Sequence, residues 1–220
     1  MEHIVKILKI ENITHDVKRF VLEKPEGYNF KPGQATSLSI NKNGLKEEKR
    51  PFTFTSLNSY QHLELTIKIY EGNNGVTKEL GKLKKSDELI IGPPWGTINY
   101  KGPGYFIAGG AGITPFIAIF RHLQKENQLK DNVLYFSNKT EKDIILKDEF
   151  EKMLGKNFIN VITHEESEKY INGFIDKDFL KKEISDFSKH FYICGPPKMT
   201  ESIQEALKEL GAKPDTLVFE

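Results

Sequence analysis

The chain has 220 residues with 32 basic and 31 acidic side chains, a formal charge of +1. That balance excludes a global attraction to nucleic acid or to an anionic membrane, so charge-based recognition has to be local. A single cysteine, Cys194, excludes an intramolecular disulfide and any all-cysteine zinc or iron–sulfur site, and the six histidines lack metal-ligand spacing, so no metal is expected.

Residues 3–11 and 17–23 read as two strands joined near Thr14-His15-Asp16. Met1 to Ile10 alternates lysine with short apolar groups and has no signal-peptide core, and no apolar stretch is long enough to span a bilayer, so a cytoplasmic protein is expected. The turn Lys31-Pro32-Gly33-Gln34 leads into a strand over Ala35–Ile40. Asn43-Gly44 predicts a hairpin whose return strand runs from Arg50 to Ser56. Leu63, Leu65, Ile67 and Ile69 alternate with Glu64, Thr66 and Lys68, the period of a half-buried strand. After Asn73-Asn74-Gly75, Thr77 is placed to cap a short helix over Lys78–Leu83. Leu89-Ile90-Ile91 forms one more strand before the turn Gly92-Pro93-Pro94-Trp95-Gly96. Six strands with little helix predict a small antiparallel barrel.

From Gly104 onward the pattern changes. Apolar strands at 105–108, 132–136, 158–163 and 190–194 alternate with helical periodicity at 115–125, 146–154, 176–183 and 197–210, and Thr216–Glu220 reads as a last strand. This βα alternation predicts a doubly wound parallel sheet. The fold class is therefore β + α/β, with a boundary near Tyr100–Pro103: residues 1–100 a barrel, residues 101–220 an α/β domain.

Three stretches carry chemistry. Gly104–Ala108 followed by Gly109-Gly110-Ala111-Gly112-Ile113-Thr114-Pro115 reads as strand, glycine turn and helix, with Thr114 as cap and Pro115 in the first helical position. Amides at such a helix start attract an anion, most often a nucleotide phosphate, although a ligand-free turn fits the same residues. In Arg50-Pro51-Phe52-Thr53, an extended backbone puts Arg50 and Phe52 on one face and Thr53 on the other. An arginine, an aromatic ring and a hydroxyl suit a phosphate and a planar ring, and a strand edge with a surface arginine suits them equally. Cys194-Gly195-Pro196-Pro197-Lys198-Met199 ends the fourth α/β strand and opens the last helix, at the strand ends where open α/β sheets bind ligands.

Taken in this order and spacing, Arg50–Thr53, Gly75-Val76-Thr77, Gly109–Pro115 and Cys194–Met199 resemble the ferredoxin–NADP reductase superfamily over nearly the whole chain. The resemblance implies a flavin-binding barrel, with FAD ahead of FMN, and a nicotinamide-nucleotide-binding α/β domain. It makes Arg50 a ligand of the flavin phosphate, lays Phe52 beside Pro51 against the isoalloxazine and puts the Thr53 hydroxyl near flavin N5. It gives Gly75, Val76 and Thr77 to the flavin pyrophosphate, Gly110, Gly112 and Thr114 to the dinucleotide, and Cys194, Gly195 and Pro196 to the nicotinamide border. Phe219 or Glu220 is placed beside the flavin. Thr53 and Cys194 are the residues expected at the reacting rings. The chain departs from the family in carrying Phe52 for the usual tyrosine and a Gly92–Gly96 turn one residue longer.

The stretch Phe136–Leu146 resembles that of cytochrome b5 reductases and nitrate reductases. There Lys139 and Lys142 are offset by Glu141 and Asp143, with Glu165 and Glu166 after the next strand, which leans towards NADH over NADPH. The implied activity is hydride transfer from NADH or NADPH to the flavin and electron delivery to a separate acceptor: a ferredoxin, a flavodoxin, an oxygenase component or free flavin. Lys42, Lys46, Lys49, Lys82, Lys84 and Lys85 offer a docking surface for an acidic carrier. The alternatives are a flavin-bearing electron-transfer or regulatory subunit with little turnover alone, and a nucleotide-binding domain without flavin.

Overall fold

The computed structural model describes residues 1–220 apart from Asn73, Asn74, Thr97, Glu220 and the side chain of Phe219. Close contacts group Met1–Gly96 with Thr114–His122 in one unit, and Thr97–Ile113 with Leu123–Glu220 in another.

The first unit holds β1 (His3–Asn12), β2 (Val17–Glu23), β3 (Ala35–Ile40), β4 (Arg50–Thr53), β5 (His62–Lys68) and β6 (Glu88–Ile91). They form an antiparallel sheet in the order β4-β3-β6-β1-β2-β5. Its two ends meet just past β4, where Phe54 bridges Leu65 and the Thr55 N–H donates to the Glu64 carbonyl at 2.8 Å, so the sheet curls into a near-closed barrel. Phe20, Leu22, Leu38, Phe54, Leu65 and Leu89 fill its interior without exposure. Burial of each such side chain stabilises the unit by about 1.5–3 kcal/mol before chain entropy is counted.

Three expectations change here. Asn43-Gly44 does form a turn, closed by Leu45 N–H to the Lys42 carbonyl at 3.0 Å with Gly44 at φ +81°, but it lies inside the longer connection 41–49 and is not a two-residue hairpin link. β5 is buried on both faces, because Glu64 and Thr66 are covered as well as the leucines. Arg121, which is grouped with this unit, supplies part of that cover. The short helix is α1 (Val76–Gly81), capped by Gly75 with no side-chain hydrogen bond, so Thr77 lies inside it and does not cap it.

The second unit contains β7 (Gly104–Gly109), β8 (Val133–Asn138), β9 (Phe158–Ile162), β10 (Ile171–Asn172), β11 (His190–Cys194) and β12 (Leu217–Phe219). All pair parallel, in the order β10-β9-β8-β7-β11-β12. The crossovers use α3 (Lys147–Leu154), α4 (Lys177–Glu183) and α5 (Pro197–Glu209), and α2 (Thr114–Lys125) follows β7 and is divided between the units. Asp176 caps α4 by accepting from the Phe179 N–H at 2.9 Å. A 3-10 turn over Gly110–Ile113 runs into α2, so Thr114 is the first helical residue and Pro115 the second, one position later than the sequence suggests.

The chain entering β7 is held from two sides. The Asn132 side chain accepts from the Gly104 N–H at 3.2 Å and donates to the Leu129 carbonyl at 3.2 Å. The Tyr192 hydroxyl accepts from the N–H groups of Lys101 and Gly102 at 2.8 and 3.1 Å and donates to the Gly102 carbonyl at 2.8 Å. Burial pushes this phenol up to about 12, against the two backbone donors, which lower it. Among the described residues, no helix is long and apolar enough to cross a membrane.

Candidate functional site

In the first unit, β4 pairs with β3 so that Thr53 faces Ala35, Phe52 faces Thr36, Pro51 faces Ser37 and Arg50 faces Leu38. Side chains directly opposite one another share a sheet face, which puts Thr53 and Pro51 on one face and Arg50 and Phe52 on the other. Phe52 is half-buried and packs against the barrel core. Arg50 is exposed; it donates to the Lys49 carbonyl at 2.8 Å and meets Glu48 at 3.4 Å. Such an exposed ion pair is worth about 0–1 kcal/mol, less than a well-formed arginine–phosphate bond. The Thr53 hydroxyl is half-buried and has no hydrogen-bond partner among the described residues. A guanidinium and an unused hydroxyl on one short strand suit a phosphate-bearing planar ring such as a flavin nucleotide. Gly75, Val76 and Thr77 form the start of α1, where the first amides have no acceptor within the helix.

In the second unit, strand order reverses between β7 and β11, the position at which open α/β sheets leave a crevice beyond the carboxyl ends of the strands. Ala108 and Cys194 pair there, which brings Gly109–Gly112 beside Cys194–Pro196. The glycines serve different ends. Gly110 has φ +51° with open space where a Cβ would stand, whereas a Cβ on Gly112 would run into the Cys194 carbonyl and one on Gly109 into Met199 and Pro196. Cys194 is half-buried, and Pro196 caps α5 with Pro197 in its first turn. At the carboxyl end of β8, the buried Asn138 side chain leaves both its amide nitrogen and its oxygen without a protein partner. Buried amides of that kind are ordinarily met by a partner.

Beyond β8, Lys139 accepts through its carbonyl from the His164 N–H at 2.9 Å. Asp143 Oδ2 accepts from the Thr140 N–H at 2.9 Å and its hydroxyl at 2.6 Å, so this carboxylate shapes its own 3-10 turn. Glu165 accepts from the Glu141 N–H, and the Ser167 hydroxyl donates to Glu141 at 2.6 Å, so both glutamates are held just beyond β8 and β9. Phe219 pairs through its backbone with Ile193; its side chain and Glu220 lie outside the described residues. Of the six lysines, Lys42, Lys49 and Lys82 are engaged by Asp87, Glu2 and Glu79 at 3.4, 2.7 and 2.6 Å, which dilutes the patch.

Sequence reasoning overlooked the Glu64 cluster. Glu64 is 6% exposed and accepts from Arg121 at 2.6 Å and from the Thr55 hydroxyl at 2.7 Å, and Arg121 also donates to the Thr55 carbonyl at 2.7 Å. No local pattern announces a partner so far along the chain.

Residues 4–100 match the family model described as an oxidoreductase FAD-binding domain, and residues 106–205 the one described as an oxidoreductase NAD-binding domain. The chain thus joins a module of the oxidoreductase FAD-binding kind to one of the oxidoreductase NAD-binding kind. The chain belongs to the ferredoxin–NADP reductase superfamily, which includes the cytochrome b5 reductases. It is 31% identical to NADH-cytochrome b5 reductase 1 of Lodderomyces elongisporus, over 90% of this chain and 71% of that protein. It is 26% identical to the reductase component of propane 2-monooxygenase from Rhodococcus jostii, over 98% of this chain and 62% of that one. The fold superposes on a ferredoxin NADP+ reductase from Neisseria gonorrhoeae with bound FAD and NADP at a TM-score of 0.87 and 19% identity, covering 100% of this chain and 98% of that chain. The chain spans 62–65% of the length of several curated relatives that it matches.

Proposed function

We propose that the chain is an NAD(P)H-dependent flavoprotein reductase, with residues 1–100 as the FAD module, residues 101–220 as the nicotinamide-nucleotide module, and a separate protein as electron acceptor. The observation that carries this reading is the pairing of two incomplete polar sites in one chain: the Arg50–Thr53 strand with its unused hydroxyl, and the glycine turn at the β7/β11 switch point. FAD and NADH, when bound, supply the hydride chemistry. Arg50 and the start of α1, at Gly75, Val76 and Thr77, hold the flavin phosphates. Phe52 and Pro51 border the ring, and Thr53 offers its hydroxyl to the ring's polar edge. Gly110 and Gly112 admit the dinucleotide with Thr114 behind them, Lys139 and Asp143 border its far end, and Cys194, Gly195 and Pro196 shape the nicotinamide pocket. Phe219 is kept as a flavin-side residue on the family resemblance alone.

NADH is the favoured donor, because Glu141 and Asp143 follow β8 and Glu165 follows β9, and these carboxylates would oppose the extra phosphate of NADPH. The acceptor class is a ferredoxin, a flavodoxin, an oxygenase component or a cytochrome b5-like haem protein, in keeping with the relatives matched. The test is the visible spectrum of the purified protein under anaerobic conditions before and after stoichiometric NADH, then NADPH. Rapid bleaching of flavin absorbance by NADH ahead of NADPH is expected. A protein that takes up neither FAD nor FMN overturns the flavoprotein reading, and a yellow protein that neither nucleotide bleaches makes it a flavin-bearing subunit.

A further inference from the structure

Trp95 is the only tryptophan in the sequence, and it is 42% exposed although its backbone is firmly held. Its N–H donates to the Ala35 carbonyl at 2.8 Å, and its carbonyl accepts from the Ala35 N–H at 2.7 Å. The start of the same loop is fixed by the Gly92 carbonyl, which accepts from the Tyr28 and Thr36 hydroxyls at 2.7 and 2.9 Å, and by the Gly92 N–H, which donates to the Ser37 carbonyl at 2.9 Å. The backbone under the indole is thus ordered before anything covers the ring.

The register decides where the ring stands. Leu38 lies opposite Ile91, and three residues earlier on β3, Ala35 lies opposite Trp95, four residues later. The Gly92–Trp95 side therefore carries one residue more than the β3 side it faces. A shift of one residue sends a side chain to the other face, so the insertion sets Trp95, and not Pro94, opposite Ala35. Ala35 is also directly opposite Thr53 on its other flank. Thr53, Ala35 and Trp95 then share one sheet face, with an alanine that is 3% exposed as the floor between a hydroxyl and an indole.

We propose that Trp95 is a flavin-contacting residue particular to this loop, which packs against the isoalloxazine bound at Thr53 from across Ala35. This rests on FAD binding at the Arg50–Thr53 strand. An indole against a planar electron-poor ring adds affinity beyond simple area burial, and an indole in contact quenches flavin emission where a phenyl ring does not.

The experiment compares FAD-loaded wild type, Trp95→Phe, Trp95→Ala and Arg50→Ala, reading FAD affinity after removal of free flavin and the emission yield of bound flavin. Trp95→Phe is expected to keep most of the affinity and to brighten bound flavin several-fold, and Trp95→Ala to weaken FAD binding roughly 2- to 12-fold. In wild-type protein, hydroxyl-radical oxidation of Trp95 is expected to fall several-fold when FAD is added, a readout that needs no variant to fold. Unchanged emission in Trp95→Phe together with equal oxidation of Trp95 with and without FAD overturns the proposal, as does protection by NAD+ alone. If Arg50→Ala weakens FAD binding while Trp95 shows neither effect, only the tryptophan contact falls; if the wild type holds no FAD, the flavin reading falls with it.

Discussion

Arg50 has little to hold it in place. Its contacts are the preceding carbonyl and an exposed glutamate at 3.4 Å, so its guanidinium is available at small cost to any phosphate that arrives. A charge-assisted arginine–phosphate bond contributes about 1.5–3 kcal/mol, and Arg50→Ala should weaken FAD binding roughly 10- to 150-fold with the fold intact, measured by flavin titration against the loss of circular dichroism on heating. An unchanged affinity would remove Arg50 from the site. The candidate site residues singled out in the sequence share a feature: each sits next to a chain neighbour that completes its meaning, as Thr53 does with Arg50 and Gly112 with Gly110. Glu64 lacked one. Its alternation with leucines suggested a solvated face, and Arg121, folded back on it from far along the chain, together with the Thr55 hydroxyl reverses that reading.

At the level of elements, the α/β alternation was readable because continuous apolar strands and 3.6-residue helices leave different periods. β10 was not, since two exposed residues, Ile171 and Asn172, carry no period at all. The glycine turn was found from sequence, but the reasons for its glycines were not separable there. Gly112 is required by close approach to the Cys194 carbonyl, and Gly110 by a left-handed backbone in open space. Gly112→Ala should therefore displace the carboxyl end of β11 at a cost of about 1–3 kcal/mol, lowering the unfolding midpoint by several degrees and weakening NADH binding together. Differential scanning calorimetry and NADH titration of the same sample check both; a variant with wild-type midpoint and affinity would show that the strand end yields freely.

At the scale of the whole molecule, near-neutral charge hides a set of carboxylates that folding makes more acidic. Burial alone would raise Asp16, but Lys68 at 2.8 Å and the Thr14 hydroxyl at 3.1 Å outweigh it and hold the group below its usual range. Glu11 is lowered by Lys9 and then by Arg19. A carboxylate whose folded pKa is depressed lends stability above its unfolded pKa, and that stability drains away as pH falls through the folded value. The urea midpoint should thus hold from neutral pH down to about 5 and decline below about 4, with Asp16→Asn less stable at neutral pH and flatter in acid. A midpoint that rises on acidification would contradict these pairings.

The two sheets also differ in how they end. The barrel brings its outer strands together at Phe54 and Leu65, whereas the parallel sheet has at one margin β10, a strand of two residues. Unpaired strand edges are templates on which another chain can add itself, and short ones give an incoming strand too few hydrogen bonds to stay. The barrel thus resists edge-to-edge aggregation by bringing its two ends together, and the parallel sheet does so at its β10 margin by tapering to a strand too short to be worth joining.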